Sequence, residues 1–394
     1  MKKFSIAVLF VLVLGLIGGV GLRATVEAPR ETAASHYALH PPKPRFSTAA
    51  GSAELAVAGG PTLFQYHGDA ERPIASVTKI MTANVVLTHP RIYPLNRMVT
   101  ITPDEVANYR NGLRKADSEV PLSAGERVTV KDLLWALMLP SADDSAWVLA
   151  DNYPGGASAF IAEMNRRAQQ LGMHQTHYVD PDGVNHHGYS TTRDLMKLIM
   201  RDMAIPEFRT LVSTKTAQTP FGDLTNLNQL LWSYPGAIGI KTGWTPYAGT
   251  CLAFAATRAQ AGNSLTLYGV VLGEPSTSLS PMFRDVTQLL NTGFRDVPWR
   301  TVVPAGREIG VLPVKRGWLL RSESVPLLVK KPLGAFADVS QGVLQVRWYP
   351  LASTRIERGQ VVGEARLETG SHGLAVWVPV VAGKSVTVRW WERL

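Results

Sequence analysis

Residues Ala75–Ala83 read ASVTKIMTA and begin a helix that is predicted between Pro73 and Pro90. Since residues three apart lie on one helix face, the Ser76 hydroxyl and the Lys79 amine can meet. A serine hydroxyl needs a base to act as a nucleophile, and lysine serves as that base only where its surroundings favour the neutral amine. The pair alone is weak evidence, because about one or two S-x-x-K matches arise by chance in a chain of this size. For an isolated match, a capping serine beside a solvated lysine is the better interpretation.

Two further short motifs lie downstream. Ser141-Ala142-Asp143 follows the predicted helix Val130–Leu139, and Lys241-Thr242-Gly243 follows the apolar stretch Ala237–Ile240. Each motif has a plain structural interpretation of its own, a helix N-cap for the first and a turn at a strand end for the second. Gly243 would permit the backbone of a substrate to approach closely.

The order of the three motifs resembles that of the penicillin-recognising serine enzymes, whose motifs are S-x-x-K, S-D-N and K-T-G. The flanking sequence narrows the resemblance to the low-molecular-mass penicillin-binding proteins, the serine-type D-alanyl-D-alanine carboxypeptidases of peptidase family S11. The similar segments are ASVTKIMTA, Asp180–Gly183, Tyr189–Thr191, Gly239–Thr245 and Ala248–Leu252. The similarity extends from Ala53 to Phe294, and a weaker similarity is present at Arg358–Gly363.

The resemblance implies a two-step acyl transfer. Ser76 would attack the carbonyl between the two terminal D-alanines of a peptidoglycan stem peptide, with Lys79 as the general base and Ser141 as a proton relay to the leaving D-alanine. The backbone N–H groups of Ser76 and Trp244 would form the oxyanion hole. The residues expected to bind substrate are Lys241, Thr242, Gly243, Trp244 and Asp143. No metal or organic cofactor is implied, and β-lactams should acylate Ser76.

The chain departs from the family pattern at two positions. Asp143 stands where the family usually has asparagine, and a carboxylate near Lys79 would favour the charged lysine and so reduce or alter turnover. Met282 stands where the family commonly has an arginine that helps bind the substrate carboxylate. Arg284 lies two residues further on, where a surface arginine is the simpler interpretation.

Two other functions stay open at this point. A β-lactamase would share the fold and the nucleophile but would need a carboxylate to activate the deacylating water, and no such residue can be located from the sequence. A catalytically weak or silent penicillin-binding wall scaffold is the second, favoured by Asp143 and Met282 and opposed by the intact Ser76, Lys79 and Lys241-Thr242-Gly243.

The pattern of helices and strands predicts an α/β (α+β) transpeptidase-like domain of the β-lactamase-like type, followed by a small all-β domain. Strands are predicted at both ends of a mostly helical middle, which suggests one sheet built from the two ends of the domain. The expected organisation is a signal peptide or membrane anchor over 1–28, a Pro-rich linker over 29–46, the catalytic domain over 47–296 and the β-rich domain over 297–394.

The amino terminus predicts export. Lys2 and Lys3 precede an uncharged apolar run from Phe4 to Leu22, which is typical of an export signal and is also nearly long enough to span a bilayer. Whether the segment is cleaved or kept as an anchor, the rest of the chain is expected in the periplasm or at the outer face of the cytoplasmic membrane. The formal net charge of +9 is compatible with several anionic partners, but no basic cluster interleaved with aromatics favours nucleic acid.

Three residues are of types that bind metals or react as thiols, but the sequence does not favour either function for them. His186 and His187 are adjacent in a predicted loop, where ordinary polar residues are far more common than metal ligands. Cys251 is the only cysteine and lies in an apolar predicted strand, so a small core residue is expected rather than a reactive thiol.

Overall fold

The structure is a computed structural model that describes residues 7–8, 47–110, 118–260, 262–314, 323–336, 342–349, 355–369 and 377–387. The chain divides into two compact units, one of Lys43–Arg295 and one of Met1–Pro42 with Asp296–Leu394. Elements are numbered along the chain from β1 (Ala7–Val8), a two-residue strand.

A five-stranded antiparallel sheet is the centre of the first unit, in the order β3-β2-β10-β9-β8. The strands of the first unit are β2 (Ser52–Val57), β3 (Thr62–Tyr66), β4 (Met98–Thr100), β5 (Arg127–Thr129), β6 (Thr216–Thr219), β7 (Gly222–Thr225), β8 (Ala237–Thr245), β9 (Gly249–Gln260) and β10 (Asn263–Glu274). Strands from both ends of the unit are paired directly, because β2 lies against β10. The predicted sheet is therefore confirmed, and β8 is one of its two edges.

Helices occupy the middle of the first unit, and a last helix follows its final strand, as predicted. They are α1 (Lys79–Thr88), α2 (Pro103–Arg110), α3 (Val130–Met138), α4 (Asp143–Asp151), α5 (Gly156–Gln170), α6 (Thr192–Asp202), α7 (Pro206–Ser213), α8 (Leu230–Ser233) and α9 (Leu279–Asp296), with a 3-10 turn over Ala75–Thr78 before α1. Every residue of α1 from Lys79 to Val86 is buried. A helix that is apolar nearly all round is buried on all sides, and this places the first turn of α1 in the interior.

Two predicted helix ends can be compared with the structure. The predicted cap Thr191 is confirmed, since its hydroxyl accepts the N–H of Asp194 at 3.1 Å. The predicted end of the last helix near Gly293 is wrong, because α9 continues to Asp296. A Cβ added at Gly293 would lie 2.6 Å from a methyl carbon of Leu55. This glycine lets the helix pack closely on the sheet and does not end it.

Sequence reasoning missed the shorter elements. Helices α2 and α7 and the two hairpins β4–β5 and β6–β7 were not predicted. Helix α7 begins at Pro206, a residue that fits the first helical position because its missing N–H has no partner there. These elements carry too few periodic apolar residues to stand out in sequence.

The second unit is rich in strands, which confirms the β-rich region expected after the α/β domain. Its strands are β11 (Trp299–Val303), β12 (Glu308–Val314), β13 (Glu323–Val329), β14 (Leu333–Phe336), β15 (Gly342–Trp348), β16 (Arg355–Ile356), β17 (Val361–Thr369), β18 (Val378–Ala382) and β19 (Val386–Thr387). A sheet in the order β1-β15-β17-β18-β13-β12 covers a core that includes Val325, Val329 and Val380.

The amino-terminal predictions cannot be compared with the structure. The linker over 29–46 lies outside the described residues, as does the export segment apart from Ala7 and Val8. Within the described ranges, no helix combines the length and the apolar composition that crossing a bilayer requires.

Candidate active site

Ser76 lies in a tight turn whose backbone is crowded from two sides. It is the second residue of the 3-10 turn, after Ala75 with a φ of 48°. A Cβ added at Gly183 would lie 1.9 Å from the Ala75 carbonyl oxygen, and one added at Gly243 would lie 3.0 Å from the Ser76 nitrogen. Only glycine permits this approach, so the Asp180–Gly183 loop and β8 both meet at the nucleophile turn.

Lys79 is fully buried and has three hydrogen-bond acceptors around its amino group. Its Nζ donates to the Ser76 hydroxyl at 2.9 Å and to the Asp182 carbonyl at 2.9 Å. The third contact is a short hydrogen bond to one carboxylate oxygen of Asp143. Because a lysine ammonium has three N–H donors, this environment satisfies all of them.

Asp143 is the first residue of α4, and both of its carboxylate oxygens are engaged. One oxygen contacts Lys79 and the other accepts the N–H of Ser118 at 3.1 Å. Burial raises the pKa of Asp143, and the nearby Asp182 raises it further, whereas the Lys79 charge lowers it. Asp143 therefore lies at a buried site where desolvation disfavours its charged form and the neighbouring Lys79 favours it.

Ser141 occupies the short connection between α3 and α4. Its φ of 71° is unusual for a residue other than glycine, and backbone strain of this kind is frequent at functional sites. The connection is held by hydrogen bonds from the N–H of Ala142 to the Ala136 carbonyl and from the N–H of Asp143 to the Ser118 carbonyl. Within the part of the chain that the structure describes, the Ser141 hydroxyl itself forms no hydrogen bond.

Lys241, Thr242 and Gly243 lie inside the edge strand β8 and not at a turn after it. The Lys241 side chain is buried, and its Nζ donates to the Thr242 carbonyl at 3.1 Å. Burial lowers the pKa of Lys241 well below its usual value; the Lys79 charge lowers it further, while Asp143 raises it. Trp244 follows in the same strand, and its indole N–H donates to the Ser276 carbonyl at 3.2 Å.

The loop Asp180–Gly183 contacts the Lys79 amine and is held by hydrogen bonds of its own. Asp180 accepts the N–H groups of Gly183 at 2.8 Å and Asn185 at 2.6 Å, and burial together with Asp182 raises its pKa to about 7. Asp182 accepts the indole N–H of Trp147 at 2.7 Å while its carbonyl accepts from Lys79. This segment is part of the sequence resemblance to the family, but the sequence alone does not indicate these contacts.

Two contacts of the site were missed altogether. The Asp182 carbonyl and the Ser118 N–H are backbone groups, and no side-chain pattern reports them. The one sequence pattern related to these contacts is Asp180-Pro181-Asp182-Gly183. It predicts a tight turn but does not predict which residues the turn contacts.

The structure does not bring Arg284 to this cluster. Met282 is fully buried on the inner face of α9, whereas Arg284 is exposed on the same helix. Its side chain lines a surface depression with Phe283, Thr287 and Gln288.

Fold and site together define a penicillin-recognising serine peptidase. The model of the D-alanyl-D-alanine carboxypeptidase family, peptidase S11, matches residues 41–276, and the chain belongs to this family. The chain is 41% identical over 252 residues to a D-alanyl-D-alanine carboxypeptidase of Streptomyces sp. strain K15, which covers 60% of this chain and 83% of that protein. It is 34% identical over 236 residues to a D-alanyl-D-alanine endopeptidase of Escherichia coli K12, covering 57% of this chain and 71% of that protein.

Solved structures agree with this assignment. The crystal structure of the Streptomyces K15 DD-transpeptidase superposes with a TM-score of 0.57 at 40% identity, over 63% of this chain and 98% of that one. The D-alanyl-D-alanine carboxypeptidase DacD of Francisella tularensis superposes with a TM-score of 0.59 over 91% of this chain and 98% of that one. Its identity of 20% supports the fold alone.

Proposed function

We infer that this chain is a serine D-alanyl-D-alanine carboxypeptidase that removes the terminal D-alanine from peptidoglycan stem peptides and is acylated by β-lactams. One observation carries the inference. The amine of a fully buried lysine lies 2.9 Å from the Ser76 hydroxyl in a turn that adjoins the edge strand β8. A nucleophile, a base within hydrogen-bond reach and a place for an extended peptide are the parts that acyl transfer to serine requires.

The substrate would bind as an additional strand along β8. An edge strand offers unpaired N–H and C=O groups to an extended peptide. The terminal carboxylate would lie at Lys241 and Thr242, and the scissile carbonyl at Gly243, next to the N–H groups of Ser76 and Trp244. Because Gly243 lies so close to the Ser76 nitrogen, those two N–H groups can serve one oxyanion.

Lys79 would take the proton from Ser76 as the hydroxyl attacks. The alkoxide forms the acyl-enzyme and the C–N bond to the terminal D-alanine breaks. Ser141 would pass a proton to the departing amine, and water then hydrolyses the ester and regenerates Ser76. Asp143 is assigned to the substrate-binding residues. Its contact with Lys79 would also favour the charged form of the lysine over the neutral form that acts as a base.

A catalytically weak penicillin-binding protein is the second candidate, and one contact favours it. The Asp143 carboxylate stabilises the charged form of Lys79, in which the lysine cannot accept a proton. Such a protein would bind and slowly retain penicillin but release little D-alanine.

The proposed place of action is the cell envelope, since peptidoglycan lies outside the cytoplasmic membrane. The apolar segment from Phe4 to Leu22 supports export, either as a cleaved signal or as a membrane anchor. We further assign catalysis to residues 47–296 and a separate β-rich domain to 297–394.

One experiment separates the candidates. The protein is incubated with penicillin and with a peptide ending in D-Ala-D-Ala, and the mass of the Ser76 peptide and the release of D-alanine are measured. A carboxypeptidase gives a long-lived adduct and releases D-alanine, a β-lactamase destroys penicillin rapidly, and a weak enzyme gives the adduct with little release. If neither adduct nor release exceeds that of Ser76→Ala, the proposed function is wrong.

A further inference from the structure

Two side chains of helix α4 lead to Lys79, one directly and one through an intermediate residue. Asp143, the first residue of α4, contacts the Lys79 amine. Trp147 lies one turn later on the same face of the helix, because residues four apart are neighbours there. Its indole N–H donates to a carboxylate oxygen of Asp182 at 2.7 Å, and the backbone carbonyl of Asp182 accepts from Lys79 at 2.9 Å. Helix α4 therefore holds the surroundings of the lysine at two points.

The Asp182 carboxylate depends on donors such as the Trp147 indole, because Asp182 is fully buried. One oxygen accepts the indole N–H, and the other accepts the N–H of Val184, two residues further on, at 3.1 Å. The neighbouring Asp180 adds negative charge, since burial, and next the charge of Asp182, raises the pKa of Asp180 to about 7. A buried carboxylate that loses a donor is destabilised and moves towards water or towards other donors.

The loop that carries Asp182 is docked against the nucleophile turn and helix α1. The Pro181 carbonyl accepts the hydroxyl of Thr82 at 2.5 Å. The Asp182 carbonyl accepts from the lysine amine, and the backbone of Gly183 adjoins Ala75. Three successive residues of the loop thus contact the residues that present the nucleophile and its base. A shift of the middle residue would be felt at the lysine.

We propose that Trp147 is a positioning residue for acyl transfer. It holds the Asp182 carboxylate, and the carbonyl of the same residue then keeps the Lys79 amine directed at the Ser76 hydroxyl. A displacement of about 0.5 Å is enough to disturb an arrangement of this kind. The proposal rests on the function proposed above, in which Lys79 is the base. Because the substrate would bind along β8, a different element, Trp147 affects the chemical step and not binding.

Trp147→Phe tests this role, because it removes the indole N–H and keeps an aromatic ring. For the full-length protein, the rate of Ser76 acylation is measured against penicillin concentration, which separates the limiting rate from the half-saturating concentration. The limiting rate is expected to fall about tenfold, while the half-saturating concentration stays within about twofold. Release of D-alanine from a peptide ending in D-Ala-D-Ala should likewise show a lower kcat at a nearly constant KM.

Trp135→Phe is the matched control. Trp135 is a half-buried tryptophan of the neighbouring helix α3 and packs against the core of the same unit. Its replacement removes the same atoms and should leave the limiting rate and the half-saturating concentration within about twofold of the wild type. Circular dichroism checks that each variant is folded.

A second comparison separates the hydrogen bond from the packing of the ring. In Asp182→Asn the buried acceptor carries no charge, so it depends less on an N–H donor. In this background Trp147→Phe should slow acylation about twofold or less, against about tenfold in the otherwise unchanged protein. A role in packing alone would give the same factor in both backgrounds.

Three results would overturn the positioning role. They are a folded Trp147→Phe protein acylated at the wild-type limiting rate, one that loses affinity for penicillin at an unchanged limiting rate, and an equal loss of rate with Asp182 and with Asp182→Asn. Absence of both a penicillin adduct and D-alanine release in the wild type would instead overturn the carboxypeptidase assignment itself.

Discussion

At the scale of single residues, we expect the contact between Lys79 and Asp143 to limit how fast Ser76 can be activated. A lysine base must be neutral before it can take the Ser76 proton, and a buried carboxylate at hydrogen-bond distance opposes that state. An asparagine at the same position could still accept from Lys79 through its carbonyl oxygen but would carry no charge. On the proposed assignment, the departure from the family pattern would alter the base, Lys79, and leave the nucleophile, Ser76, intact.

Asp143→Asn is expected to raise the rate of Ser76 acylation by penicillin about threefold to tenfold near pH 7, because the neutral form of Lys79 is no longer opposed by a carboxylate. The rate is measured by mass spectrometry of the adduct over time. Asp144→Asn is the matched control, since Asp144 is also buried at the start of α4 but accepts from the Val120 N–H at 3.0 Å and not from Lys79. Equal acylation rates in the wild type and Asp143→Asn would contradict this role.

Gly183 is expected to be indispensable for the geometry of the nucleophile turn. Gly183→Ala would place a methyl group against the Ala75 carbonyl and should slow acylation of Ser76 by about tenfold or more. Gly222→Ala is the control, because Gly222 also has a positive φ, of 98°, but a Cβ there meets nothing within 4 Å. Both variants bear the conformational cost of about 1 kcal/mol. Similar acylation rates in the two would contradict a role of Gly183 in shaping the nucleophile turn.

At the scale of elements, the longer helices and the sheet strands follow from periodicity, whereas the site depends on contacts that periodicity does not report. The apolar positions of α1 predict its burial. The β-branched residues of β8 and its K-T-G motif predict a strand at that position. The approach of the Asp180–Gly183 loop to Ala75 is a contact between segments about a hundred residues apart, as is the pairing of Lys79 with Asp182. Such contacts are determined by tertiary packing.

A buried polar cluster joins three helices and should make stability depend on pH. Asp202 of α6 accepts a hydrogen bond from Asn84 of α1, which in turn accepts from Arg167 of α5 at 3.0 Å. Burial raises the pKa of Asp202 to about 8, and among the residues that the structure describes its second carboxylate oxygen has no hydrogen-bond partner. The folded state thus keeps a proton that the unfolded chain releases near pH 4, so this group makes stability fall as pH rises from about 4 to about 8.

Asp202→Asn is expected to remove this loss, since the amide is neutral at every pH. The melting temperature of the variant should exceed that of the wild type by about 5 °C at pH 8 and differ little at pH 4. Thermal unfolding followed by circular dichroism at both pH values measures the difference. A shift of equal size at both pH values would indicate a packing effect and not the carboxyl group.

At the scale of the whole molecule, the residues proposed for acyl transfer and for binding the D-Ala-D-Ala terminus lie between Ser76 and Trp244, inside the unit Lys43–Arg295. That unit has its own sheet and its own buried core. A domain with its own core can in principle fold alone. The second unit has a separate core of strand residues and contributes none of the assigned residues.

A protein reduced to residues 47–296 is therefore expected to fold and to be acylated by penicillin within about twofold of the full-length rate. The cut at 296 keeps helix α9 complete, including the close packing of Gly293 on the sheet, which a cut at the end of the matched family region would remove. A second protein ending at residue 276 serves as the comparison, and it should lose stability because the α9 residues Val286 and Leu290 are fully buried. Folding is checked by circular dichroism and acylation by adduct mass. If the 47–296 protein is folded but acylated more than about tenfold more slowly, the β-rich unit takes part in catalysis and the division of tasks proposed for the two units is wrong.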